Sequence, residues 1–298
     1  MNNYLLLIIS MFCALGASII KKASAKKFES KNALRFLFNA TVSLSCVFVF
    51  LLLGGIPEIS GFTLALGILF GFITAFQYFF SLKSYESGPF AYTSVIVSLS
   101  TIIPALSGYF IWNENLVAIQ MIGILMMLLC FLLSVEFKKE ENKASKAWFA
   151  YVFLTFFATG FIGVMQKWHQ SSEYKNELNG FLIVAFSVSF MLCFLGFLFL
   201  QFRQKERSES CKITVGDVSL FFLCLMILCG ICAALNNKMN LYLSGVIDSA
   251  IFFPVVNGGG IILSTLTSIF LFKEKLSLQK CLGIAVGVIA VVLLCNPF

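Results

Sequence analysis

Long apolar runs separated by short charged turns set the pattern of this 298-residue chain. A helix crosses the hydrocarbon of a bilayer with about 20 apolar residues. Ten stretches reach roughly that length: 3–20, 34–53, 61–82, 89–112, 116–135, 147–166, 179–202, 215–237, 249–272 and 277–295. The segments between them are too short to build a soluble domain. The pattern predicts an all-α integral membrane protein with ten transmembrane helices. Met1–Ile20 has no basic segment ahead of its apolar run, and its charges follow it, so it reads as a retained first helix rather than a signal peptide.

The chain also echoes itself. Phe110, Glu114, Leu116, Gly123 and Ile124 return 160 positions later as Phe270, Glu274, Leu276, Gly283 and Ile284. In both copies an apolar run ends at a charged turn, Asn113-Glu114-Asn115 or Lys273-Glu274-Lys275, and a second run begins. Five spans per copy is an odd number, so a tandem second copy enters the membrane upside down. Inverted repeats of this kind build transporter cores. The expected organisation is two inverted five-helix repeats around a central cavity, residues 1–137 and 147–298, joined by a cytoplasmic linker at 138–146.

Composition agrees: 59% of residues are hydrophobic, only 12% are charged, and the mean hydropathy is +0.95. The net charge of +7 does not point to nucleic acid, because its distribution has another cause. Of the 21 Lys and Arg residues, only Lys167, Lys175 and Lys238 fall on one side of the predicted topology. The positive-inside rule assigns the basic side to the cytoplasm and both termini to the outside. Nine of the ten cysteines, all but Cys211, lie in apolar spans and read as packing residues, Cys229-Gly-Ile-Cys232 included. With one histidine in the chain, no metal site and no cofactor is expected.

Each half closes with a small-residue helix, then Glu-x-Leu, then a glycine-containing helix, at Ser100–Gly123 and at Gly260–Gly283. This resembles the repeat of the EamA-type transporters of the drug/metabolite transporter superfamily. The resemblance spans essentially the whole chain in span count and repeat length, and is sharp in residue identity at those two hairpins. It implies a ten-helix carrier whose cavity opens alternately to each side and moves small metabolites. Two departures stand out. The nucleotide-sugar branch keeps both termini in the cytosol, whereas the charge bias here puts them outside. Small four-helix relatives exchange protons through a Glu in the first helix, and Met1–Ile20 contains no acidic residue.

Polar side chains within apolar spans nominate the substrate site. Gln77 and Tyr78 on the third span align with Asn236 and Asn237 on the eighth. These amides serve either a solute, offering a donor and an acceptor, or interhelical hydrogen bonding. Asn257 opens Asn257-Gly258-Gly259-Gly260, a run expected to loosen the ninth helix and expose backbone to solute; close packing is the alternative. Ser98 occupies the mate of that segment, and Tyr92 offers a ring for stacking. Lys22 and Lys167 end mated helices as snorkelling residues or as the two mouths of the cavity. Glu86 and Asp248 serve either proton coupling or the polar boundary. Trp148 and Trp168 read as interfacial belts. Gly67-x-x-x-Gly71 and Gly283-x-x-x-Gly287 suit close helix contact, internal or in a homodimer.

The function expected is alternating-access transport of a small organic metabolite, neutral or zwitterionic, with an amino-acid-like solute favoured. The rival readings are an integral-membrane enzyme acting on a lipid-soluble substrate and a channel. His169, placed in a polar loop, has no visible catalytic partner, and no filter motif appears, so no catalytic residue is assigned. The expected partners are the solute and the lipid bilayer, with the chain a monomer or homodimer. Usage rich in Lys, Asn, Ile and Phe fits an AT-rich genome and a bacterial cytoplasmic membrane.

Overall fold

A computed structural model of the chain describes residues 3–28, 32–55, 57–87, 90–133, 146–205, 218–272 and 277–295. Among them every regular element is helical. The order is α1 (Asn3–Phe28), α2 (Asn32–Gly54), α3 (Gly61–Ser87), α4 (Phe90–Leu99), α5 (Ile102–Trp112) and α6 (Ala118–Leu133). Then come α7 (Lys146–Gln170), α8 (Leu178–Lys205), α9 (Leu220–Ser244), α10 (Ser249–Phe272) and α11 (Leu278–Cys295), with a single 3-10 turn at Lys175–Glu177 before α8. Six of these helices, α1, α2, α3, α7, α8 and α9, contain stretches long and apolar enough to cross a membrane; four further apolar stretches are shorter.

The fourth expected span is divided. Pro104 has no N–H to give the Ser100 carbonyl four residues back, and its ring crowds that carbonyl. The chain tightens instead: Ser100 N–H donates to the Val97 carbonyl at 3.2 Å, and Ile103 N–H to the Ser100 carbonyl at 3.1 Å. Helix α4 therefore stops at Leu99 and α5 starts at Ile102. The expected loosening at Asn257–Gly260 does not occur, because α10 runs through it without a break. Gly258 is used for packing, since a Cβ there would strike the Met127 side chain of α6. The eighth expected span also moves: α9 continues to Ser244, past the amides that seemed to end it. Asn237 satisfies its amide on its own helix, donating to the Ala233 carbonyl at 2.9 Å.

The helices gather into two compact units, and each draws on both halves of the sequence. One comprises Ile8–Ala75 and Ser172–Asn240. In it α2 and α8 pack along their length, with Phe50 against Phe186 (ring centroids 5.7 Å apart) and Ser43 Oγ 3.4 Å from Ser189 Oγ. Helix α3 closes on α8 through Gly67 and Gly71; a Cβ at Gly71 would strike the Ala185 carbonyl. Helix α9 meets α2 where Cys46 Sγ approaches the Gly230 carbonyl at 3.3 Å. Glu177 caps the start of α3, accepting from Ser60 N–H at 2.9 Å and Ser60 Oγ at 2.8 Å.

The other unit comprises Met1–Leu7, Phe76–Ser171 and Leu241–Phe298. Helices α6 and α11 pack through Gly123 against Leu294 and through Gly287 against Cys130. Glu114 ties three further elements together. Asn113 ends α5 in the left-handed conformation (φ 53°), which Asn tolerates better than most residues. That turn brings the Glu114 carboxylate back against Gly108. Its Oε2 accepts from the Ser249 N–H at 2.7 Å and its Oε1 from Ser249 Oγ at 3.3 Å, so it caps α10. Lys167, from the last turn of α7, forms an ion pair with the same carboxylate, and both side chains are at least nine-tenths buried. Trp148, expected in an interfacial belt, is instead buried against α4, its Nε1 donating to Thr93 Oγ1 at 2.9 Å.

Two outcomes follow from this packing. Gly71→Ala lowers the melting temperature of the detergent-solubilised protein, by about 1–3 kcal/mol of stability, because backbone cannot rotate out of the way. Gly260→Ala, with nothing within 4 Å, is neutral or gains up to about 1 kcal/mol in helix propensity. Equal melting temperatures for the two variants would contradict the tight α3–α8 contact. Lys167→Met leaves a buried carboxylate unpaired and costs about 3–5 kcal/mol. Adding Glu114→Gln recovers part of that loss. Strict additivity in the double-mutant cycle would show that the pair is uncoupled.

Candidate functional site

An amide inside an apolar helix has two useful ends, a carbonyl that accepts and an NH2 that donates. What each can offer a solute depends on which end the protein already uses. On α3, Gln77 is half-buried and its Nε2 donates to Thr159 Oγ1 on α7 at 3.3 Å. The Thr159 hydroxyl donates in turn to the Thr155 carbonyl at 2.8 Å, so it meets Gln77 as an acceptor. Gln77 Oε1 has no hydrogen-bond partner among the described residues. Aromatic rings continue the same contact, Phe80 of α3 lying 5.9 Å from Tyr151 of α7 between centroids.

On α9 the arrangement is of the same kind with the polarity reversed. Ser10 Oγ of α1 donates to Asn240 Oδ1 at 2.8 Å, and Asn240 Nδ2 donates to Asn236 Oδ1 at 3.2 Å. The helix α1 that supplies Ser10 is held on α9 by Ala17, whose carbonyl lies 3.7 Å from Cys229 Sγ, and by Gly16, beside Cys232. Ser10, Met11, Ala17, Ile20 and Ser24 are all buried, which is a helical stripe with a period near 3.6. Asn236 Nδ2 has no partner among the described residues. Each rung joins an amide on one helix to a hydroxyl on another.

The remaining candidates are distributed as follows. Tyr78 is half-buried beside Gln77 on α3. Asn237 uses its Nδ2 on its own helix, and so does exposed Asn257, which donates to the Phe253 carbonyl at 3.0 Å. Ser98 is half-buried at the α4–α5 break, where its carbonyl receives the Thr101 hydroxyl at 3.2 Å, and the neighbouring Ser100 Oγ is buried without a partner. Lys167 is committed to Glu114. Asp248 is exposed, and its backbone carbonyl receives the N–H groups of Ile251 and Phe252 in the first turn of α10. The side chains of Lys22, Tyr92 and Glu86 lie outside the described residues. Gln77 and Asn257 belong to one compact unit, Asn236 and Asn237 to the other.

His169 is not in a loop. It is fully buried in the last turn of α7, with its Nδ1 3.1 Å from Gln170 Nε2. Sequence reasoning missed Ser10, Thr159 and Asn240. Asn240 carried a usable signal, since it repeats Asn236 one helical turn later. The two hydroxyls carried none, because Ser and Thr in apolar helices commonly bond their own backbone.

No family model matches this chain, and no curated protein matches it. A solved structure known only as "Crystal structure of protein" covers 97% of this chain and 97% of its own at 15% identity, with a TM-score of 0.68. At that identity the likeness establishes a shared fold and nothing of function.

Proposed function

We propose that this chain is a secondary transporter that moves a small organic metabolite across a membrane by alternating access. It would have ten spans arranged as two inverted five-helix repeats, as in the EamA-type carriers of the drug/metabolite transporter superfamily. The observation that carries this reading is the doubled polar rung. The third helix of the first half meets the first helix of the second half through Gln77 and Thr159. The third long helix of the second half, α9, meets the first helix of the chain through Asn240 and Ser10. A twofold relation between halves generates such swapped pairs. The pairings of α2 with α8, α5 with α10 and α6 with α11 support it, each joining elements that the sequence echo aligns.

Polar side chains in an apolar surround are expensive, and they persist where they bond each other or face a watery path. Amides with few buried charges suit a neutral or zwitterionic solute, an amino acid or a related compound. The basic bias of the predicted loops supports extracytoplasmic termini, and usage rich in Lys, Asn, Ile and Phe supports a bacterial cytoplasmic membrane. Glu86 and Asp248 remain the proposed acidic residues for any proton coupling.

The test is ligand-dependent melting of the detergent-purified protein across amino acids, nucleosides, sugars and cationic drugs, followed by flux in proteoliposomes. A solute that binds only the folded state raises the melting temperature with concentration. The expected outcome is at least one such solute, carried by saturable and competable flux, with uptake reduced more than tenfold in Gln77→Leu. The unliganded melting temperature should change little in that variant, since a membrane-embedded hydrogen bond is worth about 0.6 kcal/mol on average. Non-saturating flux would favour a channel. Chemical conversion of a lipid-soluble compound without flux would favour an enzyme.

A further inference from the structure

We propose that Gln77 and Asn257 form the part of the solute site that receives a hydrogen-bond donor, an ammonium or hydroxyl group, through two carbonyl oxygens whose direction the backbone fixes. This rests on the carrier reading above and adds the chemistry of one end of the solute.

Which end an amide presents is set by what holds the other end, and a backbone carbonyl settles the matter because it can only accept. The Asn257 amide nitrogen lies 3.0 Å from the Phe253 carbonyl oxygen. The reversed amide would set oxygen against oxygen. Its NH2 is therefore the anchored end, and Oδ1 is the end turned away. Gln77 is anchored through one intermediate. The Thr159 hydroxyl lies 2.8 Å from the Thr155 carbonyl, so its proton is engaged there. Toward Gln77 it can only accept, and it does so from Nε2 at 3.3 Å. Both amides thus present carbonyl oxygens, one on α3 and one on α10.

The two lie at one level of the same compact unit. The Glu114 clasp marks one end of that unit, where Gly108, Lys167 and Ser249 meet the carboxylate. Four residues inward along each helix, Pro104, Gly163 and Phe253 touch; a Cβ at Gly163 would lie 2.8 Å from Pro104 Cγ and 3.0 Å from Phe253 Cε1. Four residues further come Ser100, Thr159 and Asn257. Each such step advances a helix by about 6 Å and turns it by only about 40°, so Thr159 and Asn257 stay on the side where α7 meets α10. The cover ends there. Ala250 and Phe253 are buried on that side of α10, whereas Asn257 is exposed and a Cβ on Gly260 would meet open space. Ser100 brings to the same level a buried hydroxyl with no hydrogen-bond partner, a cost that a bound polar group relieves. Glu114 and Lys167, about 12 Å away along the helices, are engaged with each other, so recognition at this level falls to dipoles. Two acceptors call for a donor. An ammonium is held most strongly, since a charge-assisted hydrogen bond is roughly twice as strong as a neutral one, and a hydroxyl offers the same donor without charge.

The experiment keeps the carboxylate and side chain of the solute and changes only the donor. Leucine is compared with 2-hydroxy-4-methylpentanoate and 4-methylpentanoate, and phenylalanine with 3-phenyllactate and 3-phenylpropionate. Binding to the full-length purified protein is read by thermal shift, and transport by competition for flux in proteoliposomes. The expected result is an affinity lower by about tenfold or more for the member that carries hydrogen in place of the donor. The ranking of the other two tells whether ammonium or hydroxyl is the group received. Asn257→Leu and Gln77→Met, close in size but without an acceptor, reduce that discrimination to about threefold or less. Asn257→Asp keeps an acceptor and adds negative charge, so it raises the preference for ammonium over hydroxyl. The unliganded melting temperatures of the three variants report whether the fold is intact. Equal binding of all members of a series, or discrimination unmoved in both Asn257→Leu and Gln77→Met, would overturn the assignment and leave the carrier standing. Failure of both series to bind while another solute of the wider panel is carried saturably would do the same. Absence of saturable flux for any solute would overturn both.

Discussion

An apolar surround gives a polar group no water to fall back on, and the helices of this protein, six of them long and apolar enough to cross a membrane, are organised around that constraint. Their backbones satisfy themselves, so the problem is concentrated in the few polar side chains. The solutions are local and economical. Thr155 and Thr159 return their hydroxyls to the preceding turn of α7, and Asn237 and Asn257 do the same with their amides. What is not settled within one helix is settled between two. The rungs at Gln77 and Asn240 are of this second kind, as is the Glu114 clasp with Lys167 and Ser249.

The clasp also explains why a charged turn recurs where it does. A helix end buried in protein leaves N–H groups that need an acceptor. Glu114 supplies one to α10, and Glu177 supplies one to α3. Lys167 then balances the buried carboxylate of Glu114. Removing water from such a pair is costly, so it says less about stability than about geometry. It requires the end of α7, the turn after α5 and the start of α10 to meet at one point. Reading Lys167 as a free cationic mouth could not anticipate this, because its partner is far off in sequence and nothing local marks the match.

How much was legible follows from the range of each interaction. The helical class was legible, because hydropathy acts residue by residue and an apolar run of about 20 leaves few alternatives. Helix ends were less so. The eighth span was closed at Asn237 on polarity, yet α9 runs to Ser244 because its amides bond within the helix or to α1. Half of the amide pattern was visible as single residues, Gln77 and Asn236. Their partners were not, since Ser10 and Asn240 are 230 positions apart and meet only in the fold. Whether an amide is spent on its own helix or between helices is a property of the fold and not of the residue type.

The contrast between the fourth span and its sequence mate carries the same lesson for backbone. Glycine content suggested that the segment around Asn257–Gly260 would be the weak one. Glycine lowers helix propensity by about 1 kcal/mol, however, and neighbouring packing can repay it. Met127 fills the space at Gly258, and α10 stays whole. Proline costs a hydrogen bond and crowds the carbonyl four residues back, yet Pro254 lies inside α10, which stays unbroken. Pro104, by contrast, follows a division of its span beside Ser100, whose buried hydroxyl is left without a partner. Neither the proline nor the glycine run of α10 interrupts it, so residue type alone does not place the irregular backbone.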